Sequence, residues 1–281
     1  MKPVLAIDNL TVRLRADGKT TTLVDDVSFA VEPGMCLGIL GESGSGKSLT
    51  CKAFMGLLDS SFTVAGKAVF EEADLLTLSR EQMRLLRGNK IGMILQNPMS
   101  CFDPLYRIGR QMAEGIAEHS RLSRTAIKTK CIETLELMQI RNPEEVMAKY
   151  PHQLSGGMLQ RVMIGLALIM RPSLIIADEP TTAIDSITQY EIVNEFIRIK
   201  ERHGTAMIFI SHDLGVISKL ADSAVVMHNA KIKRRGAVQE ILDNPGDPYT
   251  AYLIEKKMAV MNRFIGVCRK PESTRRKKDT A

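Results

Sequence analysis

From Val4 to Leu14 apolar residues recur with polar ones between them, at Leu5, Ile7, Leu10, Val12 and Leu14, the pattern of a half-buried strand. A turn at Ala16-Asp17-Gly18-Lys19 and a second run from Leu23 to Val31 predict an antiparallel pair. After Pro33-Gly34 the pattern changes. Met35 to Leu40 is almost wholly apolar, as expected of a strand covered on both faces. A helical pattern follows from Leu49 to Leu58, then a short strand around Lys67 to Phe70. Ser79 is placed to cap a helix reaching Arg87. Lys90 to Leu95 is a compact apolar strand that stops at Gln96-Asn97-Pro98.

Between Pro104 and about Tyr150 the pattern is helical throughout, and a further helix is predicted from Ser155 to Ile169. Buried strands return at Leu174 to Ala177 and Thr205 to Ile210, with helices at Ile187 to Arg202 and Val216 to Leu220. Ala224 to Met227 and Lys231 to Arg235 read as a terminal hairpin or edge strands. Strands alternating with helices argue an α/β fold with a parallel sheet, and the helical block at about 98–160 reads as an insert in it.

Composition adds little. The 281 residues are 44% hydrophobic and 25% charged, ordinary for a globular chain. No apolar run reaches the ~18–20 residues that cross a bilayer. Asp8 interrupts the apolar N-terminus, so no signal peptide is expected and a cytoplasmic setting is. The five cysteines include no C-x-x-C pair, which predicts reduced, mostly buried thiols rather than a metal centre. Part of the net charge of +6 lies in the segment from Arg269 to Lys278, expected to be a solvated tail with possible contact to anionic headgroups. No aromatic platform accompanies it, so nucleic acid is not an expected partner.

The chemistry gathers at strand ends. Gly41-Glu42-Ser43-Gly44-Ser45-Gly46-Lys47-Ser48 reads G-x-x-x-x-G-K-S between a strand and a helix. Its glycines let backbone N–H groups close on a phosphate, and the helix adds its positive end. Lys47 reaches the β- and γ-phosphates, and Ser48 offers a hydroxyl to Mg²⁺. Asp178 ends a buried strand, where a carboxylate can hold Mg²⁺, and Glu179 beside it can polarise a water. Gln96 and His212 end two other strands; the amide can touch Mg²⁺ or that water, and the imidazole can bond the γ-phosphate. His119, His152, His203 and His228 lack such context and read as structural or surface residues. Leu154-Ser155-Gly156-Gly157-Met158-Leu159-Gln160-Arg161 offers a serine cap, two glycines and a helix start, a second anion-binding end. A second site of this kind would serve the nucleotide of a neighbouring subunit.

The ordered set resembles the ATP-binding cassette family. That resemblance implies a P-loop NTPase (RecA-like) core with an N-terminal antiparallel β subdomain and an inserted α-helical subdomain. It implies a cassette over residues 1–255, an insert at about 98–160 and a basic tail at 256–281. It further implies ATP on Gly41 to Ser48 and Leu49; Mg²⁺ on Ser48, Gln96 and Asp178; and catalysis by Glu179, His212 and Gln96. Ser155, Gly156, Gly157 and Gln160 would contact the ATP of a head-to-tail partner cassette, and Ala183-Ile184-Asp185 would be the D-loop. Many family members stack an aromatic residue on adenine; here the expected position holds Leu14, which suggests apolar contact instead.

One cassette without a membrane span resembles the separate ATPase subunits of bacterial importers. These implied partners follow: a second cassette, two permease subunits and an extracytoplasmic solute-binding protein, at the cytoplasmic face of the inner membrane. Gln96-Asn97-Pro98 to Asp103-Pro104, Tyr150-Pro151-His152-Gln153 and Asp247-Pro248-Tyr249-Thr250 resemble the dipeptide/oligopeptide/nickel importer group. Ser48 to Cys51 and Ser155 to Arg161 look most like the nickel or metal-chelate members, with peptide import as the alternative. A soluble cassette ATPase with no transport role is the more distant reading. A metal cargo would be held elsewhere in the complex, because the Cys, His and Met residues here show no ligand spacing.

Overall fold

The computed structural model describes residues 2–182 and 186–257. Two sheets form the frame. The first is antiparallel, in the order β2-β1-β4-β5. Its strands are β1 (Leu5–Ala16), β2 (Lys19–Val31), β4 (Phe62–Phe70) and the two-residue β5 (Ala73–Asp74). Asp17 and Gly18 both take positive φ (50° and 71°), the two-residue turn that suits the twist of a hairpin. Strict alternation would turn Leu10 outward, since it lies three residues after Ile7. A register shift between them, with Asn9 at φ 49°, absorbs the extra residue and keeps both side chains inside.

The second sheet has the order β10-β9-β3-β8-β7-β6. It comprises β3 (Cys36–Leu40), β6 (Ile91–Ile94), β7 (Leu174–Asp178), β8 (Ala206–Ile210), β9 (Ser223–His228) and β10 (Lys231–Ala237). All its pairings are parallel except that of β10 with β9. Every residue of β3, β7 and β8 is buried, which is why these strands read as continuous apolar runs. Alternate residues serve two cores. Leu37, Ile39, Ile176, Ile208 and Ile210 face the antiparallel sheet and Phe54. Leu40, Ile175, Ala177, Met207 and Phe209 face the helices on the other side.

The helix α1 (Lys47–Phe54) follows β3. It ends four residues before the predicted stop, because Gly56 enters the left-handed region (φ 61°) and breaks the pattern. α2 (Arg80–Leu86) begins at the expected cap: Ser79 accepts from Gln82 N, and Gln82 returns the bond to Ser79 N. Between β6 and β7 lie α3 (Ile108–His119), α4 (Arg124–Leu137), α5 (Pro143–Ala148) and α6 (Gly156–Leu168), with no strand among them. Buried stripes at Ile108, Met112 and Ile116 and at Ile127, Cys131 and Leu135 pack this block together. α7 (Ser186–His203), α8 (Leu214–Leu220) and α9 (Val238–Asp243) complete the core, and a helix at 248–257, α10, follows. Neither α9 nor α10 was predicted from the pattern.

Cys36, Cys51 and Cys131 are buried free thiols. Burial pushes Cys36 up to about 12 and Cys131 to about 11, so these side chains act as small core residues. Among the described residues no helix is long and apolar enough to cross a membrane. The D-loop residue Asp185 and the basic segment from Arg269 lie outside the described residues.

Candidate functional site

The ends of β3, β6, β7 and β8, which are contiguous in the sheet, deliver the candidate residues to one place. β3 runs into the glycine loop. Gly41 has φ 152°, and a Cβ there would collide with the Met227 carbonyl at the end of β9 and with Ser45 Oγ. Only glycine fits. Gly44 (φ 79°) and Gly46 (φ 103°) supply two more turns that other residues resist. Gly46 is the N-cap of α1 and contributes no side-chain bond, so the amides of the first turn remain available to an anion. The Ser45 hydroxyl is buried and, among the described residues, without a partner. A loop with uncapped amides and an orphaned hydroxyl suits a phosphate acceptor.

Lys47 is only 6% exposed. Its Nζ donates to the carbonyls of Gly41 (3.0 Å) and Glu42 (2.8 Å), folding back over the loop it would otherwise reach across. Burial pulls its pKa down, while the Glu179 and Asp178 carboxylates oppose that change. Ser48 donates to Asp178 Oδ1 at 2.6 Å, joining the start of α1 to the end of β7. Asp178 is 5% exposed, and burial pushes its pKa up against the Ser48 bond and the Lys52 charge. A hydroxyl and a buried carboxylate, both oxygen donors, with the Gln96 amide nearby, match the needs of a hard divalent cation such as Mg²⁺.

Glu179 follows Asp178 in a left-handed conformation (φ 47°), held by its N–H to the Ile210 carbonyl at 3.0 Å. Its Oε2 is surrounded. Gln96 Nε2 donates to it at 3.3 Å, Thr182 Oγ1 donates at 3.0 Å, and His212 Nδ1 lies 3.3 Å away. The His212 side chain is half exposed and that of Glu179 only 17% exposed. Gln96, Asp178, Glu179, His212 and the loop therefore share one site. Thr182 joins them unpredicted; a threonine four residues after a strand-end acid carries no sequence signal of its own.

Ser155 caps α6 by accepting from Met158 N at 3.3 Å, and both Ser155 and Gly156 are exposed. A Cβ on Gly156 would meet nothing within 4 Å. Among the described residues no hydrogen bond or ion pair joins Ser155, Gly156 or Gly157 to the glycine loop. Gln160 sits differently from Ser155 and Gly156. It is 2% exposed and donates through Nε2 to the Pro180 carbonyl at 2.6 Å, inside its own chain. Five residues past the N-cap, it lies on the inner face of α6 rather than at the exposed tip. Arg161 beside it bonds the Met138 carbonyl at 3.2 Å and pairs with Glu191. Leu14, expected as an apolar contact for adenine, is half buried and lies opposite Phe62 of β4. An aromatic ring thus neighbours it across the sheet, where chain position gave no hint.

Comparison with known proteins agrees with this geometry. The sequence model of the family described as "ABC transporter" matches residues 24–182. The chain is 44% identical over 247 residues to the metal-staphylopine import system ATP-binding protein CntD of Staphylococcus aureus (strain NCTC 8325 / PS 47), covering 88% of this chain and 91% of that one. It is 38% identical over 255 residues to the oligopeptide transport ATP-binding protein OppD of Haemophilus influenzae, covering 91% and 79%. Its fold is similar to a dimeric ATP-binding cassette solved in a post-hydrolysis state with ADP and Pi, with TM-score 0.75, 23% identity and coverage of 83% and 98%.

Proposed function

This chain belongs to the ABC transporter family, and we propose that it is the ATP-hydrolysing subunit of an importer that takes up nickel or a metal chelate. One observation carries the catalytic reading: a phosphate loop, a buried Ser48–Asp178 pair and a Glu179 oxygen ringed by Gln96, Thr182 and His212 meet at four adjacent strand ends.

Residues 1–255 act as the cassette. The loop amides from Gly44 onward and Lys47 bind the triphosphate, and Lys47 exchanges its two carbonyl partners for phosphate oxygens. Ser48, Asp178 and Gln96 would hold Mg²⁺, which when bound neutralises charge on the phosphates. Glu179 orients the attacking water and takes its proton, and His212 holds the γ-phosphate. The exposed Ser155 and Gly156, with Gly157 beside them, of one cassette close on the ATP of a second. Closure and reopening of the pair drive two permease subunits at the cytoplasmic face of the inner membrane, fed by an extracytoplasmic binding protein.

The cargo reading is supported by the 44% identity to the metal-staphylopine import protein. The peptide reading is supported by relatives such as the probable peptide transporter protein y4tR of Sinorhizobium fredii, 41% identical over 253 residues. Uptake assays in a deletion strain separate them: loss of nickel or chelate uptake with intact dipeptide uptake is expected, and the reverse overturns the metal reading. For the chemistry, Glu179→Gln in the assembled transporter should lower kcat by about 10²–10⁴ with ATP still bound. Turnover at the wild-type rate refutes the assignment.

A further inference from the structure

The segment Asp247-Pro248-Tyr249-Thr250 stands out in the sequence, yet the hydrolytic site does not use it. In the structure it starts α10. Asp247 Oδ1 accepts from the N–H groups of Tyr249 (3.0 Å) and Thr250 (3.1 Å), and the Thr250 hydroxyl bonds Asp247 Oδ2. Thr250 is fully buried and Leu253 nearly so, which anchors the helix to the core. The cap fixes where Tyr249 points. Its hydroxyl accepts from the backbone N–H of Glu42, the second residue of the phosphate loop, at 3.2 Å. Its ring lies on the His228 imidazole, with centroids 3.7 Å apart and planes 22° from parallel. His228 ends β9, directly after the Met227 carbonyl that packs against Gly41. One turn or two further along α10, Lys256 Nζ pairs with Glu42 Oε1 at 3.3 Å.

We propose that Tyr249 is a positioning residue for ATP binding: α10 pins the entrance of the phosphate loop through the Glu42 amide. The physical case is one of chain freedom. Glycines at 41, 44 and 46 give the loop many conformers, and ordering them opposes nucleotide binding. A phenol held between a capped helix and a stacked imidazole fixes the second loop residue in advance, so less order is lost when the triphosphate arrives. The Lys256–Glu42 pair is half exposed and adds little on its own. Lys257, on the same helix, is near enough for its charge to act on Lys47. His228, which reads as a bland residue in sequence, is the second support of the tyrosine ring.

The inference rests on reading Gly41 to Ser48 as a triphosphate loop, so the test carries a control for it. Tyr249→Phe removes only the acceptor oxygen and keeps the ring on His228. Titration of the full-length chain with a fluorescent N-methylanthraniloyl ATP should show binding weakened about fivefold, the worth of one net hydrogen bond. In the assembled transporter the KM for ATP should rise by about the same factor while kcat moves less than about twofold, since Glu179 and His212 are untouched. Wild-type affinity and KM in Tyr249→Phe overturn the inference, as does a fall in Tm with affinity unchanged, which marks a purely structural contact. Lys47→Ala should abolish binding of the same probe. If it does and Tyr249→Phe binds normally, only the role of Tyr249 falls; if Lys47→Ala binds normally, the loop reading falls and takes the inference with it.

Discussion

Replacing Gln160 by Met separates one hydrogen bond from packing. The two side chains are similar in length and volume, so the buried space stays filled. What disappears is the Nε2 donor to the Pro180 carbonyl at 2.6 Å. A buried carbonyl stripped of its donor costs about 1–3 kcal/mol. For a chain of this size that corresponds to a Tm lower by about 2–12 °C. The catalytic effect follows from position. Pro180 directly follows Glu179, whose left-handed backbone (φ 47°) stores about 1–2 kcal/mol of strain. Gln160 holds this turn from the α6 side, and the Glu179 N–H bond to Ile210 holds it from β8. Losing a bond as large as the strain lets the turn relax and carries the carboxylate off Gln96 and His212. We expect kcat to fall about tenfold or more, with ATP affinity unchanged because Lys47 and the loop are not involved. Differential scanning calorimetry on the chain and turnover in the assembled transporter supply the two readings. A Tm within about 1 °C of wild type together with an unchanged kcat refutes the reasoning, since each prediction comes from the same lost bond.

Ser48→Ala deletes the hydroxyl that pairs with Asp178, and the Mg²⁺ concentration for half-maximal ATP turnover should rise about tenfold to hundredfold, measured by metal titration after chelation. Phe209→Ala opens a cavity in the helix-side core, where the ring is fully buried edge-on to Phe196; the expected loss is about 3–5 kcal/mol by denaturant unfolding, and a loss below about 1 kcal/mol would contradict the packing.

The sequence carried the parallel core well because buried strands announce themselves. β3, β7 and β8 are apolar at nearly every position, and each leads into recognisable chemistry: Gly41 after β3, Asp178 at the end of β7 and His212 just past β8. The glycine loop was equally legible, since few folds other than a phosphate cradle need Gly41, Gly44 and Gly46 in those conformations. Tertiary partners were not legible. β4 is longer than its sequence suggested because exposed Gly66 and Lys67 interrupt the alternation, and pairing with β1 supplies the strand instead. The six-residue α9 is too short to show a period. The bond of Gln160 to the Pro180 carbonyl was not legible either, since it joins α6 to a turn twenty residues on. Phe62 and His228 acquire meaning only from the strand and the helix that the fold places beside them.

The crowding of Glu179 Oε2 bears on the entry of water. An oxygen already engaged by an amide, a hydroxyl and an imidazole has little room left for a stray water. Before that oxygen can take up a water, one of its donors must move aside. Access of water to Glu179 is in this way tied to movement of Gln96, Thr182 or His212.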